Sequence, residues 1–296
     1  MNLSCKICKR ESSHSSLNPK LIFCKKCDIH STVLPEIDDA YETGNYASYK
    51  TSFFEKLIIR INDSYARISM IGKFNGTWLD FGCGKGHFLA SLPKNLIKYG
   101  WETNKERAEF SRERNSNTII IENFFGEATS IDNKKFDMIS LFHVLEHLED
   151  PIIVINLFKK HLAPKGMAIV EVPNYKSLQA RFAKENWLHL DIPNHRTHWS
   201  KESLIAFFKD HDFRVVKISQ VSFTEGIFGM ADSIFFSKSD NRIYSRLKGN
   251  FFKKILILPI ILFSLILELL ACLIGSGGVN RVLITRDISM RELNNV

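Results

Sequence analysis

A glycine-rich turn within residues 77–88 constrains the fold more than any other feature of the sequence. Thr77–Phe81 is a run of β-branched and aromatic residues, which favours a strand. Gly82, Gly84 and Gly86 follow at once, ahead of an apolar segment that favours a helix. Glycine suits such a turn because the backbone can bend sharply and a ligand can approach where no Cβ atom stands. The stretch therefore predicts a strand, a tight turn and a helix beside a ligand site.

The spacing of the glycines separates two classes of ligand that use such a turn. A dinucleotide-binding turn has the pattern G-x-G-x-x-G, which would need a glycine at the position of His87. The chain instead reads D-x-G-x-G-x-G, and Asp80 puts a carboxylate near the ligand. A carboxylate favours a ligand with an ammonium and a sulfonium, such as S-adenosylmethionine, over one with a pyrophosphate. A turn with a purely structural role is the alternative that the motif leaves open.

Strand and helix patterns alternate regularly from this turn onwards. The predicted strands are Thr77–Phe81, 96–101, Thr118–Ile121, 136–141, 167–172, 214–219 and Val279–Arg286, and the predicted helices are 86–92, Lys105–Arg114, 151–162 and 200–209. This order predicts an α/β fold with a Rossmann-like, doubly wound, mostly parallel sheet of seven strands. Ligands of such sheets bind beyond the carboxyl ends of the strands.

Titratable side chains follow several of these strand ends. Glu102 ends the second strand, where its carboxylate could accept hydrogen bonds from both hydroxyls of a ribose. An ordinary surface glutamate is the alternative. His143, Glu146 and His147 follow the fourth strand, and Glu171 lies at the end of the fifth.

Four segments resemble, in order and spacing, the bacterial class I S-adenosylmethionine-dependent methyltransferases of the ubiquinone and sugar type. They are WLDFGCGKGHF, GWE at 100–102, FDMISLFHVLEHLEDP at 136–151 and LAPKGMAIVEVPN at 162–174. The resemblance implies a methyltransferase whose S-adenosylmethionine site contains Asp80, Gly82, Cys83, Gly84, Glu102 and His143. His147 resembles the histidine that some sugar methyltransferases place beside the substrate.

Residues 187–200 form a second candidate for the catalytic chemistry. They contain His189, His195 and His198, and they resemble the D-x-P-x-H-x-x-H segment of related enzymes. An imidazole can act as a general base there because it titrates near neutral pH. We predict His147 or His195 as the base, with His143 as the third candidate. The alternative is a loop whose histidines only cap the next helix.

Two Cys-x2-Cys pairs near the N-terminus predict a metal site. Cys5 and Cys8 are separated from Cys24 and Cys27 by a polar, turn-rich loop. Two such pairs supply the four thiolates of a tetrahedral zinc site, and a segment this short has little core of its own. We predict a structural zinc ribbon over residues 1–32, with chance spacing or a redox pair as alternatives. The lack of an apolar leader and the presence of six cysteines favour a reducing, cytoplasmic setting.

The remaining segments complete the predicted domain organisation. Residues 33–72 are expected to form a linker and an amphipathic helix, and residues 73–226 with 276–290 the methyltransferase domain. Tyr41, Tyr46 and Tyr49 of the linker could cover the substrate pocket. Packing of the linker is the alternative role for these tyrosines.

An apolar stretch at 255–274 lies before the last predicted strand and is broken only by Pro259, Ser264 and Glu268. It is long enough to span a bilayer, but one crossing would put the last strand on the wrong side of the membrane. Basic residues precede it, namely Lys238, Arg242, Arg246, Lys248, Lys253 and Lys254. We predict a membrane-association insertion over residues 227–275 that lies peripherally on the anionic inner face of the membrane. A buried or dimerising hairpin is the alternative.

Charge and motifs together define the expected function. The net charge of +8 indicates an anionic partner without identifying it. We expect O-methylation of a saccharide or lipid-linked small acceptor, ahead of methylation at carbon or nitrogen. A zinc-ribbon RNA base methyltransferase is the alternative. It is disfavoured because the basic residues adjoin an apolar stretch and do not alternate with exposed aromatic residues. A cofactor-binding protein without turnover is a third hypothesis, and the oligomeric state stays open.

Overall fold

The computed structural model describes residues 3–33, 64, 66–72, 74–123, 131–235 and 251–286, and in the last range it describes side chains from residue 257 onwards. The linker tyrosines, most of the predicted amphipathic helix and the basic residues 238–248 lie outside these ranges. The strands, in chain order, are β1 (Ser13–His14), β2 (Leu21–Cys24), β3 (Ile29–Thr32), β4 (Thr77–Phe81), β5 (Ile97–Trp101), β6 (Thr118–Ile121), β7 (Phe136–Phe142), β8 (Leu162–Pro173), β9 (Thr197–Trp199), β10 (Phe213–Ser219) and β11 (Val279–Arg286). The helices are α1 (His87–Ser91), α2 (Lys105–Arg114), α3 (Ile152–His161), α4 (Leu178–Ala183), α5 (Lys201–Lys209), α6 (Gly229–Phe235) and α7 (Phe251–Leu273).

The larger sheet has seven strands in the order β10-β11-β8-β7-β4-β5-β6. Strand β11 is antiparallel to both of its neighbours, while the pairs formed by β4, β5, β6, β7 and β8 are parallel. The order reverses at β4, where the chain crosses from one half of the sheet to the other. This arrangement confirms the predicted Rossmann-like fold. Ligands of such sheets bind where the strand order reverses, which here is at the ends of β4 and β7.

One boundary in this sheet differs from the prediction. Strand β8 begins at Leu162, directly after α3, and not at Met167. Residues 164–166, Pro-Lys-Gly, have a sequence typical of a connecting loop, but they lie within β8, where its pairing with β7 shifts register. A Cβ atom on Gly166 would lie 2.8 Å from the carbonyl oxygen of Phe136, so glycine allows the two strands to approach closely.

The smaller sheet joins the N-terminal ribbon to the larger domain. It has four antiparallel strands in the order β1-β2-β3-β9. Strand β9 comes from the histidine-rich segment before α5, and it pairs Trp199 with Ile29 and His198 with His30. The histidine-rich segment, for which no strand was predicted, therefore contributes a buried edge strand to the ribbon sheet.

Helix α7 contains the apolar stretch and lies against the protein along one face. Ile257, Ser264, Glu268 and Ala271 are buried, and their spacing puts them on one side of the helix. The Glu268 carboxylate accepts a hydrogen bond from the backbone N–H of Gly278 at 2.7 Å. No helix in the described part of the chain is both long and apolar enough to cross a membrane.

Candidate functional site

The predicted glycine turn connects β4 to α1 at the carboxyl end of the sheet. Gly82 and Gly84 have φ angles of 76° and 53°, in the left-handed region that glycine adopts without strain. A Cβ atom on Gly82 would lie 2.4 Å from Cγ2 of Val144, whereas one on Gly84 would meet none of the described residues within 4 Å. Gly82 is thus required for packing against the segment after β7, while the backbone at Gly84 borders open space that a ligand can occupy.

Glu102 lies beside this turn at the end of β5. One carboxylate oxygen accepts the N–H of Gly84 at 2.8 Å, and the other accepts the N–H of Asn104 at 2.9 Å. Its side chain is almost completely buried, at 6% exposure. The carboxylate is therefore fixed next to the open space at Gly84. This geometry fits the predicted contact with a ribose, which stays a prediction.

Asp80 lies beneath the turn. Its carboxylate accepts a hydrogen bond from the Ser140 hydroxyl at 2.6 Å, and that hydroxyl accepts one from the Trp78 indole N–H at 2.9 Å. Burial raises the pKa of Asp80 to about 7. A cationic ligand nearby would favour the ionised form, so the donor set is compatible with the ammonium and sulfonium of S-adenosylmethionine.

Cys83 is the turn residue whose side chain faces away from the open space. Its sulfur lies 3.8 Å from the Ser111 hydroxyl of α2 and is buried. Burial raises the pKa of the thiol above its ordinary value. A role in cofactor binding would therefore involve the backbone of Cys83 and not its sulfur.

A buried group of charges lies behind the site, at the end of β8. One oxygen of Glu171 accepts from the Arg67 guanidinium at 2.5 Å and contacts Nε2 of His143 at 3.1 Å. The other accepts from Nε of Arg281 at 2.5 Å. Burial alone would raise the pKa of Glu171, but Arg281, Arg67 and His143 hold it well below its ordinary value. Arg67 and Arg281 were not among the predicted site residues, although an arginine in the middle of the apolar strand β11 is a usable signal.

His143 is placed between two carboxylates. Its Nδ1 lies 3.2 Å from Glu146, and its Nε2 lies next to Glu171. Burial alone would lower the pKa of His143, but these two carboxylates raise it to about 10. The ring is therefore an imidazolium at neutral pH. An imidazolium has no lone pair for a proton, which argues against His143 as the general base.

The other two candidate bases, His147 and His195, come together. Their rings meet edge to face with centroids 4.6 Å apart. Nδ1 of His147 donates to the carbonyl of Asn194 at 3.1 Å, and Nδ1 of His195 donates to that of His189 at 2.8 Å. Because a carbonyl only accepts hydrogen bonds, each neutral ring carries its proton on Nδ1 and its lone pair on Nε2.

His198, the last histidine of the segment, has a structural environment. His198 is buried on β9, with its Nε2 lying 3.5 Å from the Thr32 hydroxyl. Burial lowers the pKa of His198 to about 3, so its ring stays neutral. It packs the ribbon sheet against the domain.

The ribbon holds the backbone at His195 through Thr32, the last residue of β3. The Thr32 hydroxyl donates to the carbonyl of His195 at 2.5 Å, and the Thr32 N–H donates to the carbonyl of Arg196 at 3.0 Å. The N–H of Arg196 in turn donates to the carbonyl of Glu146 at 2.7 Å. The His195 segment is therefore held between the ribbon and the turn after β7.

The four predicted metal ligands of the ribbon are brought together. Their sulfur atoms lie within 4.8 Å of one another, and those of Cys8 and Cys24 are 3.7 Å apart. The N–H of Ile7 points to the sulfur of Cys5 at 3.4 Å. Four convergent thiols suit a tetrahedral zinc ion, which would bind them as thiolates. The bound metal itself stays a prediction.

Comparisons with known proteins agree with this architecture. The family described as "Methyltransferase domain" matches residues 53–218. An uncharacterised protein of Methanocaldococcus jannaschii is 27% identical over 150 residues, which cover 51% of this chain and 70% of the relative. A protein named ubiquinone biosynthesis O-methyltransferase from Cereibacter sphaeroides is 29% identical over 133 residues, which cover 42% of this chain and 52% of that protein. The similarity thus spans about half the length of that enzyme.

Solved structures share the fold at low sequence identity. A SAM-dependent methyltransferase from Thermotoga maritima superimposes with a TM-score of 0.51 at 18% identity, over 78% of this chain and 90% of that one. A Haloferax volcanii complex between the Trm112 methyltransferase activator and a methyltransferase gives 0.53 at 14% identity, over 84% of this chain and 94% of the matched one. With the family match over more than half of the sequence, the chain belongs to the methyltransferase-domain family and is a class I S-adenosylmethionine-dependent methyltransferase.

Proposed function

We propose that the protein transfers a methyl group to a hydroxyl of a small saccharide or lipid-linked acceptor. The observation that carries this proposal is the pair of imidazoles of His147 and His195, both with the lone pair on Nε2, at the end of the strand next to the glycine turn. A hydroxyl must lose its proton to become a good nucleophile, and a neutral imidazole can accept that proton. The named O-methyltransferase relative supports the same atom type.

S-adenosylmethionine, when bound, supplies a methyl group on a sulfonium. Gly84 would allow its approach, Glu102 would accept hydrogen bonds from its ribose, and Asp80 would lie beneath it. The acceptor oxygen forms a bond to the methyl carbon as the carbon–sulfur bond breaks. The products are the methyl ether, S-adenosylhomocysteine and one proton, which passes to the imidazole and then to solvent. The protein contributes alignment of the two reactants and removal of the proton.

The charges around the three histidines support different roles for them in this proposal. His143 is already protonated between Glu146 and Glu171, so it would act as a fixed positive charge. Burial lowers the pKa of His195, which keeps that ring neutral at pH 7. We propose His195 and its neighbour His147 as the groups that accept the proton.

Replacing Glu102 with alanine tests the proposed cofactor site and reaction. We expect the affinity for S-adenosylmethionine and for S-adenosylhomocysteine to fall by about 1.5–3 kcal/mol, because hydrogen bonds to a charged acceptor are lost. Calorimetry measures this change, and transfer of labelled methyl groups to saccharide and lipid extracts measures activity. Glu109→Ala, an exposed glutamate on α2, is the control that should bind normally. Equal affinity of the wild type for NAD, or label found only in nucleic acid, would contradict the proposal.

We also propose that α7 rests on an anionic membrane surface, so that the active site meets a lipid-linked acceptor. One face of the helix is held against the protein by Glu268 and its buried neighbours. The opposite face exposes a continuous apolar surface, formed by Leu258, Leu262, Phe263, Ile266, Leu269, Leu270 and Leu273. The basic residues that precede the helix in the sequence would meet the head groups. A helix fixed on one side and apolar on the other suits interfacial binding.

Replacing Leu262, Ile266 and Leu270 together with serine should weaken binding to anionic phosphatidylglycerol vesicles. Each side chain is about half exposed. Moving these three surfaces into lipid should contribute about 2 kcal/mol or more in total, or roughly 30-fold in affinity. Sedimentation with vesicles measures binding, which should also weaken as salt is raised. Ile119→Ser, at the far edge of the large sheet, is a control that should bind normally. Wild-type protein that ignores such vesicles at low salt would refute the membrane role.

A further inference from the structure

Glu146 belongs to a second group of side chains that could hold a metal ion, outside the cysteine cluster. Its side chain is 1% exposed. One carboxylate oxygen contacts His143, and the other, Oε2, is buried without a hydrogen-bond partner among the described residues. A buried carboxylate oxygen that lacks a partner is costly, because water no longer solvates its charge. The arrangement therefore calls for a cation or donor at Oε2.

His147 and His195 each place a ring nitrogen within 4.8 Å of the Glu146 carboxylate. The carbonyls of Asn194 and His189 hold the Nδ1 proton of each ring, which leaves the lone pair on Nε2. Metal-ligating histidines show this pattern, since a hydrogen bond at one nitrogen fixes the tautomer and orients the other towards the metal.

The distances between the three groups suit binding of one shared metal ion. One ligand atom from each of Glu146, His147 and His195 can be chosen so that all three lie within 4.8 Å of one another. Ligand atoms at about 2.0–2.1 Å from a metal are roughly 3.3 Å apart in tetrahedral geometry, so small side-chain rotations would close the site. None of the three residues belongs to the cysteine cluster of the ribbon.

We propose that Glu146, His147 and His195 bind a divalent first-row transition-metal ion such as Zn²⁺ or Co²⁺. Two imidazoles and one carboxylate are a donor set that these ions accept, and three protein ligands leave a coordination position open. His195 is held in place by the ribbon through Thr32, so the ribbon would also shape this second site.

The open position has a chemical consequence that rests on the proposed function. An acceptor hydroxyl bound there would ionise more readily, because a divalent cation stabilises the alkoxide. The proton would leave to solvent as the hydroxyl binds, and the imidazole lone pairs would hold the metal in place of accepting that proton. The methyl transfer itself would break and form the same bonds as before.

Co²⁺ titration of the full-length, zinc-loaded protein tests the site. Four-thiolate sites bind zinc more tightly than cobalt, so the ribbon should keep its zinc while Co²⁺ enters the second site. We expect the d–d absorption to saturate at one Co²⁺ per chain in the wild type. Glu146→Gln and His195→Gln should each weaken this binding at least tenfold, and His147→Gln, at a half-buried position, should do the same with less risk to folding. His211→Gln changes a half-buried histidine just after the C-terminal end of α5; it is the matched control and should bind normally.

The outcomes separate this inference from the proposed function. A wild-type protein that takes up no Co²⁺ beyond the ribbon, or binding that is unchanged in all three ligand variants, would overturn the metal site. Methyl transfer at an unchanged rate in protein that lacks this Co²⁺ would leave the proposed function standing with imidazole as the base. Stoichiometric Co²⁺ binding without methyl transfer to any hydroxyl would support the metal site and refute the proposed function.

Discussion

Replacing Glu171 with glutamine is expected to lower the free energy of unfolding by about 3–5 kcal/mol, the range for removing one partner of a buried ion pair. Arg281 is completely buried, and it would lose the carboxylate that compensates its charge. Glutamine has nearly the same size and shape as glutamate, so the decrease in the free energy of unfolding would come from the lost charge and not from altered packing. Denaturant unfolding monitored by circular dichroism measures the effect. Glu109→Gln, at an exposed position of α2, should change stability by less than about 0.5 kcal/mol.

The free energy of unfolding of the wild type should also depend on pH through Glu171 and His143. The pKa of Glu171 is lowered on folding, so its stabilising contribution is present above its ordinary value of 4.5 and is lost as the pH falls through the folded value. The pKa of His143 is raised from 6.5 to about 10, so its contribution is complete below pH 6.5 and is lost as the pH rises towards 10. The free energy of unfolding of the wild type should therefore exceed that of Glu171→Gln by the largest amount between about pH 4.5 and pH 6.5. A difference below about 1 kcal/mol at pH 6 would contradict the expected charge network.

Cys24→Ser is expected to abolish zinc binding at the ribbon and, with it, to slow methyl transfer. Loss of one of four thiolates removes a site whose binding free energy, in isolated zinc-finger peptides, is about 10–16 kcal/mol. The ribbon sheet would lose order, and β9 would lose its partner β3. Because Thr32 holds the backbone at His195, the proposed base or metal ligand would move. We expect kcat to fall at least tenfold and the melting temperature to fall with the zinc content.

Cofactor affinity separates this effect from general unfolding. Gly84 and Glu102 lie on the turns after β4 and β5, which the ribbon sheet does not pair with. The affinity for S-adenosylhomocysteine in Cys24→Ser should therefore stay within about threefold of the wild type. Cys272→Ser, which changes a cysteine outside the ribbon cluster, should keep its zinc. Metal analysis after dialysis measures the zinc content. Normal activity in a Cys24→Ser protein without ribbon zinc would show that the ribbon does not position His195.

Local patterns in the sequence were enough for the fold of the larger domain. Strands β4, β6 and β11 have the predicted bounds, and α2 does as well. Helix α3 starts one residue later than predicted, at Ile152. These elements are specified by short-range alternation, helix periodicity and turn residues, all of which the chain displays within a few positions. The glycine turn and the Cys-x2-Cys pairs were visible for the same reason, because their spacing is itself the signal.

The ion pairs and protonation states of the site could not be predicted from such local patterns. His143, Glu171 and Arg281 are far apart in the chain, and only the pairing of β11 with β8 puts Arg281 opposite Glu171. The protonation of His143 follows from burial between two carboxylates, which the residue type does not reveal. The pKa of His143, raised to about 10 by Glu146 and Glu171, argues against the base role that the sequence suggested for this imidazole.

By itself, the sequence determined the sheet, the ligand turn and the cysteine pairs, because these depend on residues that are neighbours in the chain. The tertiary structure alone decided that β9 joins the ribbon sheet, that His147 meets His195, and which face of α7 is exposed. Each of these depends on contacts between segments separated by tens of residues or more. Hydrophobic burial and backbone pairing select such contacts for the chain as a whole, and no short pattern encodes them.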